Sequence, residues 1–324
     1  RSGTVNGTDT QAEVQQNFVK VSLGSGTYKL VYDTGTAPDP SEITIPPVVN
    51  AEAYVGGLYF WQEPVTMDGV IHDSMDVHEF YTKLREGAMP TTSAANLEDC
   101  LNCYRGILSQ GQDLLYVAFS SGLSSTYATA TVAAQQIMEE FPERKVLVVD
   151  SLCASLGHGL LVHQAVKLRS QGCSLEETAN ALEAQKLQIV HNFTVDDLNH
   201  LKRGGRVSAA AGWIGTLLRL CPVIEANCEG KLIPREKIRG KQRALRVLVE
   251  KMVSYAEGGM AYDGPCHISH ADNLADAEQL AGMIEEKFPQ LRGRIVINTV
   301  GTTLGSHCGP GMVALFFYGT ERGR

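Results

Sequence analysis

"DLLYVAFSSGLSSTYATATVAAQQIMEEFPERKVLVVD", residues 113–150, decides the fold class. Its two apolar runs, "LLYVAF" and "KVLVVD", are short and continuous, which is the pattern of strands buried on both faces of a sheet. Between them, residues 124–141 carry a helical pattern. Strands separated by helices form parallel sheets, so the stretch predicts a strand, a covering helix and a second, parallel strand. Ser120, Ser121, Ser124, Ser125 and Thr126 fill the strand-to-helix loop. Gly122-Leu123-Ser124 begins like a nucleophile elbow, but Thr126 stands where that motif needs its second glycine. The competing reading is an anion cradle, built from hydroxyls and from the free N–H groups of a helix start, with Ser124 at the N-terminus of the helix.

The same alternation continues outward. Towards the N-terminus come helices over 75–86 and 97–110, the strand "YKLVYD" and short strands around "AYVGGLYF". Beyond Asp150 comes a helix over 155–171, then one from 174 to about 186 opened by a capping box of Ser174 and Glu177. "LQIVHNF" reads as a strand, and "TVDDLNHLKRGG" as a short helix capped by Thr194 and stopped by two glycines that allow positive φ. "SAAAGWIGTLLRL" reads as an apolar helix offering Trp213, Ile214, Leu217 and Leu218 to a pocket or a core. "CPVIEANCEGKLIPREKIR" is a hairpin turning at 227–230. Helices over 241–257 and 274–288 and the strands "CHISHA", "RIVINTV" and "MVALFFY" complete the chain. The expected architecture is α/β in two units, a parallel-sheet unit over 28–173 and a mixed-sheet unit over 174–324. A polar extension over 1–27 precedes them.

A chain of 324 residues that is 44% hydrophobic can bury a sizeable core. Its net charge is −8 and its basic residues gather only around 231–246, which argues against a nucleic-acid partner. No run approaches a membrane span, and the first 27 residues lack the features of a signal peptide, so a cytoplasmic location is expected. The eight cysteines are scattered as in a reducing compartment, and Cys100-x-x-Cys103 lies in a helical pattern with no zinc-spaced partners. No metal is expected.

"LVYDTGTA", 30–37, resembles the loop of aspartic proteases, whose chemistry needs two such carboxylates. "VVDSLC", 148–153, lacks the glycine of a second. Asp33-Thr34, Asp150-Ser151, "SSGLSSTY" and "PTTSAAN" instead each bring hydroxyls or carboxylates to a loop, and the ends of parallel strands are where open α/β sheets bind ligands. Arg206, after "LKRGG", offers a guanidinium fork suited to a carboxylate or phosphate. His307 sits in "GSHCGPGM" beside a tight Gly-Pro-Gly turn.

In combination, "VYDTGTAP", "PTTSAAN", "SSGLSSTY", "VVDS" with Gly159, "LNHLKRGGRVS", "LLRLCPVIEANCEGKL" with "KIRGKQRA", and "SHCGPG" resemble the DegV family of bacterial fatty-acid-binding proteins. That resemblance implies two α/β domains enclosing one long-chain fatty acid, such as palmitate, stearate or oleate. It implies no other cofactor. It also implies a carrier role, in which the carboxylate is presented to a fatty acid kinase subunit for acyl phosphate formation, with transient membrane contact allowed. By the same resemblance Thr92 and Ser124 hold the carboxylate, with Ser93 and Ser121 in the same loops, Arg206 and His307 near the head group, and Asp33 and Thr34 on the first loop. Departures from the family pattern are Thr34, Ala94 and Ser125. The alternative reading is a hydrolase or phosphotransferase using Asp33, Ser124 and His307.

Overall fold

The computed structural model describes residues 66–67, 76–207 and 220–323, together with the backbone of short strands between residues 2 and 72. Asp33, Thr34, the 1–27 extension, "AYVGGLYF" and Trp213, Ile214, Leu217 and Leu218 lie outside the fully described residues.

The predicted strand–helix–strand unit is present. β3 (Leu114–Ala118) and β4 (Val146–Asp150) pair in parallel, from Leu114 opposite Val146 to Ala118 opposite Asp150. Successive residues of β4 serve opposite faces. Val146 and Val148 pack with α2 (Leu97–Leu108) and α3 (Thr126–Glu140), where Cys100, Cys103, Tyr104, Ile107, Ala133, Ala134 and Ile137 are buried. Leu147 and Val149 pack on the other side with Leu160 and Leu161 of α4 (Ser155–Ser170) and Ala179 and Leu182 of α5 (Leu175–Gln185). The small alanines of α3 let it approach α2 closely, and the continuous apolar run of β4 is explained by cover on both sides. Ser174 and Glu177 form the predicted capping box. Upstream, α1 (Val77–Arg85) leads to β2 (Thr91–Thr92), which pairs antiparallel with β1 (Val65–Met67).

The second sheet has six strands in the order β7-β6-β5-β10-β8-β9. These are β5 (Ile189–Thr194), β6 (Leu220–Ala226), β7 (Leu232–Arg239), β8 (Cys266–His270), β9 (Val296–Thr299) and β10 (Val313–Tyr318). Neighbours run antiparallel except β8 and β9, so the sheet is mixed as expected. α7 (Lys241–Tyr255) and α8 (Leu274–Lys287) cover one face through Leu245, Leu248, Met252, Leu280 and Ile284. The opposite face contributes Ile189, Phe193, Ile224 and Phe316 to the cluster that also holds Val149 and Leu160. The hairpin turn falls where predicted, with Asn227 N–H donating to Lys231 O at 2.9 Å.

Four local expectations are corrected. Thr194 ends β5 instead of capping a helix, and α6 (Asn199–Arg203) starts later, because antiparallel pairing of Thr194 with Val223 and Val313 holds it extended. α3 begins at Thr126, two residues after Ser124. Only Gly205 of the glycine pair has positive φ, at +69°; Gly204 is at −70°. His307 lies in a helix not foreseen, α9 (Thr302–Cys308), whose Gly305 has no room for a Cβ beneath Phe80 and Tyr81. A weak local pattern with an internal glycine becomes helical there because the glycine permits that packing.

Candidate functional site

The loop after β3 is locked before any ligand arrives. Ser120, fully buried, donates its hydroxyl to Gly230 O at 2.9 Å and accepts from Gly122 N–H at 3.2 Å. A Cβ on Gly122 would lie 2.5 Å from Glu229 O, so glycine is what lets the β6–β7 turn rest on this loop. Asp150, at the end of β4, accepts from Ser121 N–H at 3.1 Å and Leu152 N–H at 3.0 Å. Its Oδ1 ties two loops together. The Ser121 side chain is exposed and serves the site through its backbone.

Around this anchor, segments distant in sequence form a continuous series of contacts, all of them hydrogen bonds except the packing of the His307 ring on Gly204. Ser124 Oγ lies 2.9 Å from Thr126 Oγ1 and accepts from Thr126 N–H at 3.2 Å. Thr126 Oγ1 accepts from Ala95 N–H at 3.3 Å, reaching the loop that carries Thr92. Thr92 Oγ1 lies 2.8 Å from His307 Nε2. The His307 ring packs on Gly204, which has no room for a Cβ. Arg206, two residues on, donates Nε–H to Leu123 O at 3.1 Å and Nη1–H to Gly204 O. The Leu123 carbonyl immediately precedes Ser124, and the series returns to its start. Ser93 is exposed beside Thr92.

Electrostatics sets the protonation. Burial, then the Arg206 and Arg203 guanidinium groups, push the His307 pKa down to about 4, so the ring is neutral at pH 7. Its Nδ1 is buried without a partner. A buried N–H left unbonded is rarer than an unused lone pair, which favours the tautomer with the proton on Nε2. His307 then donates to Thr92, and the Thr92 proton is free for a ligand. Ser124 bonds Thr126 and His307 bonds Thr92, so the serine–histidine pair that nucleophilic catalysis requires is not formed by these two residues. The arrangement can donate hydroxyl protons to an anion.

Thr92, Ser124, Arg206 and His307 are thus joined in one series of contacts. Arg206 reaches it through Nε and Nη1, which donate to the Leu123 and Gly204 carbonyls. Thr126, Ser120, Gly204 and Gly230 were missed. Their signals were a second hydroxyl two residues after Ser124 and glycines read only as turn or stop residues. Among the described residues, no group of three or more His, Cys, Asp or Glu is arranged to hold a metal ion, and no helix is long and apolar enough to cross a membrane.

Comparison with known proteins gives a consistent result. The family model described as "Uncharacterised protein, DegV family" matches residues 61–320. A DegV domain-containing protein of Clostridium perfringens is 39% identical over 243 residues, covering 75% of this chain and 82% of the relative. Among solved structures, a DegV family protein from Thermus thermophilus, described for its fatty acid binding, matches with a TM-score of 0.70 and 32% identity, over 80% of this chain and 90% of that one. The fatty acid binding DegV family protein from Streptococcus agalactiae matches with a TM-score of 0.69 and 27% identity, over the same shares.

Proposed function

This chain belongs to the DegV family, and on that premise we propose that it is a carrier of one long-chain fatty acid whose carboxylate is held by Thr92 and Ser124. The observation that carries the reading is the pair of hydroxyls in one contact series: Thr92 backed by neutral His307, Ser124 backed by Thr126. Relatives in Thermus thermophilus and Streptococcus agalactiae that bind fatty acids support the ligand class. Ser93, Ser121, Asp33 and Thr34 flank the head group in this proposal, and Arg206 holds the Leu123 carbonyl beside Ser124. The two units, 28–173 and 174–324, meet at the site.

Energetics divides the work. Burying about fifteen methylenes at ~0.8 kcal/mol each offers on the order of 12 kcal/mol before ordering costs. Each hydrogen bond to the charged head adds roughly 1.5 to 3 kcal/mol. The tail gives affinity, and the head group fixes orientation. A buried tail with its carboxylate held near the surface suits presentation to a partner enzyme, so the finer part of the proposal is a cytoplasmic carrier that offers the acid to a kinase for acyl phosphate formation. Transient membrane contact would load it.

Organic extraction of the purified protein with mass spectrometry tests the ligand. One long-chain fatty acid per chain is expected. An extract without fatty acid, together with no uptake of added palmitate or oleate, overturns the reading. Acyl phosphate formed only when a fatty acid kinase and ATP are supplied supports the finer step; turnover of an ester without any partner counts against the carrier role.

A further inference from the structure

We propose that Thr126 is the positioning residue of the head-group site, joining the Thr92 loop to Ser124 and directing the Ser124 proton towards the bound carboxylate; this rests on the carboxylate reading above. Thr126 is the first residue of α3, where a β-branched side chain gains nothing in helix propensity. Its hydroxyl does not cap the helix. Instead Thr126 Oγ1 accepts from Ala95 N–H on one loop and meets Ser124 Oγ on the other. The preceding Ser125, at the N-cap position, makes no side-chain capping bond; Ser124 Oγ takes the first helical N–H, that of Thr126, which leaves the Thr126 hydroxyl itself unexplained by capping.

The proton count gives the series a direction. Thr126 Oγ1 already accepts from Ala95 N–H, and Ser124 Oγ already accepts from Thr126 N–H. Each hydroxyl has one proton to give. If Ser124 donates to Thr126, Ser124 turns a lone pair towards the ligand, which a carboxylate repels. If Thr126 donates to Ser124, the order is Ala95 N–H to Thr126 O–H to Ser124 O–H to carboxylate, and every donor has an acceptor. A bound anion selects the second order. Ala95 lies three residues from Thr92, so the relay that orients Ser124 starts from the loop carrying the other carboxylate donor.

The test is a titration of Thr126→Val and Thr126→Ser with palmitate and with methyl palmitate, in the wild-type and Ser124→Ala backgrounds, with the thermal midpoint of every variant recorded. Thr126→Val should weaken acid binding about three- to tenfold, the scale of one ordinary hydrogen bond. It should leave the ester within about twofold, and Thr126→Ser should restore the acid affinity. In the Ser124→Ala background the Thr126→Val effect should shrink below about twofold, because the residue through which it acts is gone. Equal losses for acid and ester, or an undiminished loss without Ser124, would show a merely structural threonine and overturn the inference alone. A wild type that binds neither ligand overturns the carrier reading, and this inference with it.

Discussion

Thr92 and His307, 215 positions apart in the chain, meet with Oγ1 and Nε2 2.8 Å apart. The contact joins the two-residue strand β2 to the last turn of α9. Neutral His307, acting as donor, leaves the Thr92 hydroxyl proton available.

Thr92→Val and Ser124→Ala should each weaken fatty acid binding about ten- to a hundredfold without abolishing it, since the tail contribution is larger. The double variant should lose the preference of the wild type for free acid over methyl ester. Calorimetric titration of both ligands checks this. Equal binding of acid and ester by the wild type would mean that these hydroxyls do not hold a carboxylate.

His307 should make stability pH-dependent. The unfolded ring takes up a proton near pH 6.5, whereas the native ring resists it until about pH 4. The unfolded chain therefore binds more protons in that window, and the stability contributed by neutral His307, present in full above about pH 6.5, is lost as pH falls through it. The thermal midpoint of wild type should drop between pH 6.5 and 4, and that of His307→Gln should drop less. His267, also held down to about 4 by burial, remains in the variant, so the slope should be reduced without vanishing.

Gly122→Ala should destabilise by about 1 to 3 kcal/mol, because the added methyl meets the Glu229 and Gly230 backbone. Gly106→Ala in α2, with nothing within 4 Å of its would-be Cβ, should be stabilising by roughly 0.5 to 1 kcal/mol. Urea midpoints of the two variants should move in opposite directions.

Arg206→Lys should not substitute for arginine, since one ammonium cannot reproduce the donors to Leu123 O and Gly204 O. We expect faster proteolysis in the 120–126 loop and weaker palmitate binding. Wild-type behaviour of this variant in both assays would remove the clamp role.

Cys103, Cys153, Cys266 and Cys308 should resist alkylation at neutral pH, because burial pushes each thiol up to about 12. Iodoacetamide labelling of these four should be slow in the native protein, and all eight cysteines should react in urea. Rapid native labelling at Cys103 would contradict its burial.

Much of the fold was legible because its causes are local. The continuous run Val146–Asp150 is a strand covered on both faces, the Ser174–Glu177 box starts α5, and the 227–230 turn closes its hairpin, each determined by residues within a few positions of one another. The family resemblance likewise pointed to Thr92, Ser124, Arg206 and His307, which the fold brings into one series of contacts.

The tertiary structure alone decided what those residues touch. α9 forms although its sequence is a poor helix, because Gly305 fits beneath Tyr81 from the far end of the chain. Arg206 turns Nε and Nη1 to carbonyls, Gly204 is needed for the His307 ring, and Thr126 links Ala95 to Ser124. Periodicity, caps and turns come from neighbours along the chain, so the sequence carries them in plain form. The direction of a proton and the room for a ring depend on atoms brought together from positions such as 92, 126, 204 and 307, and only folding supplies that proximity.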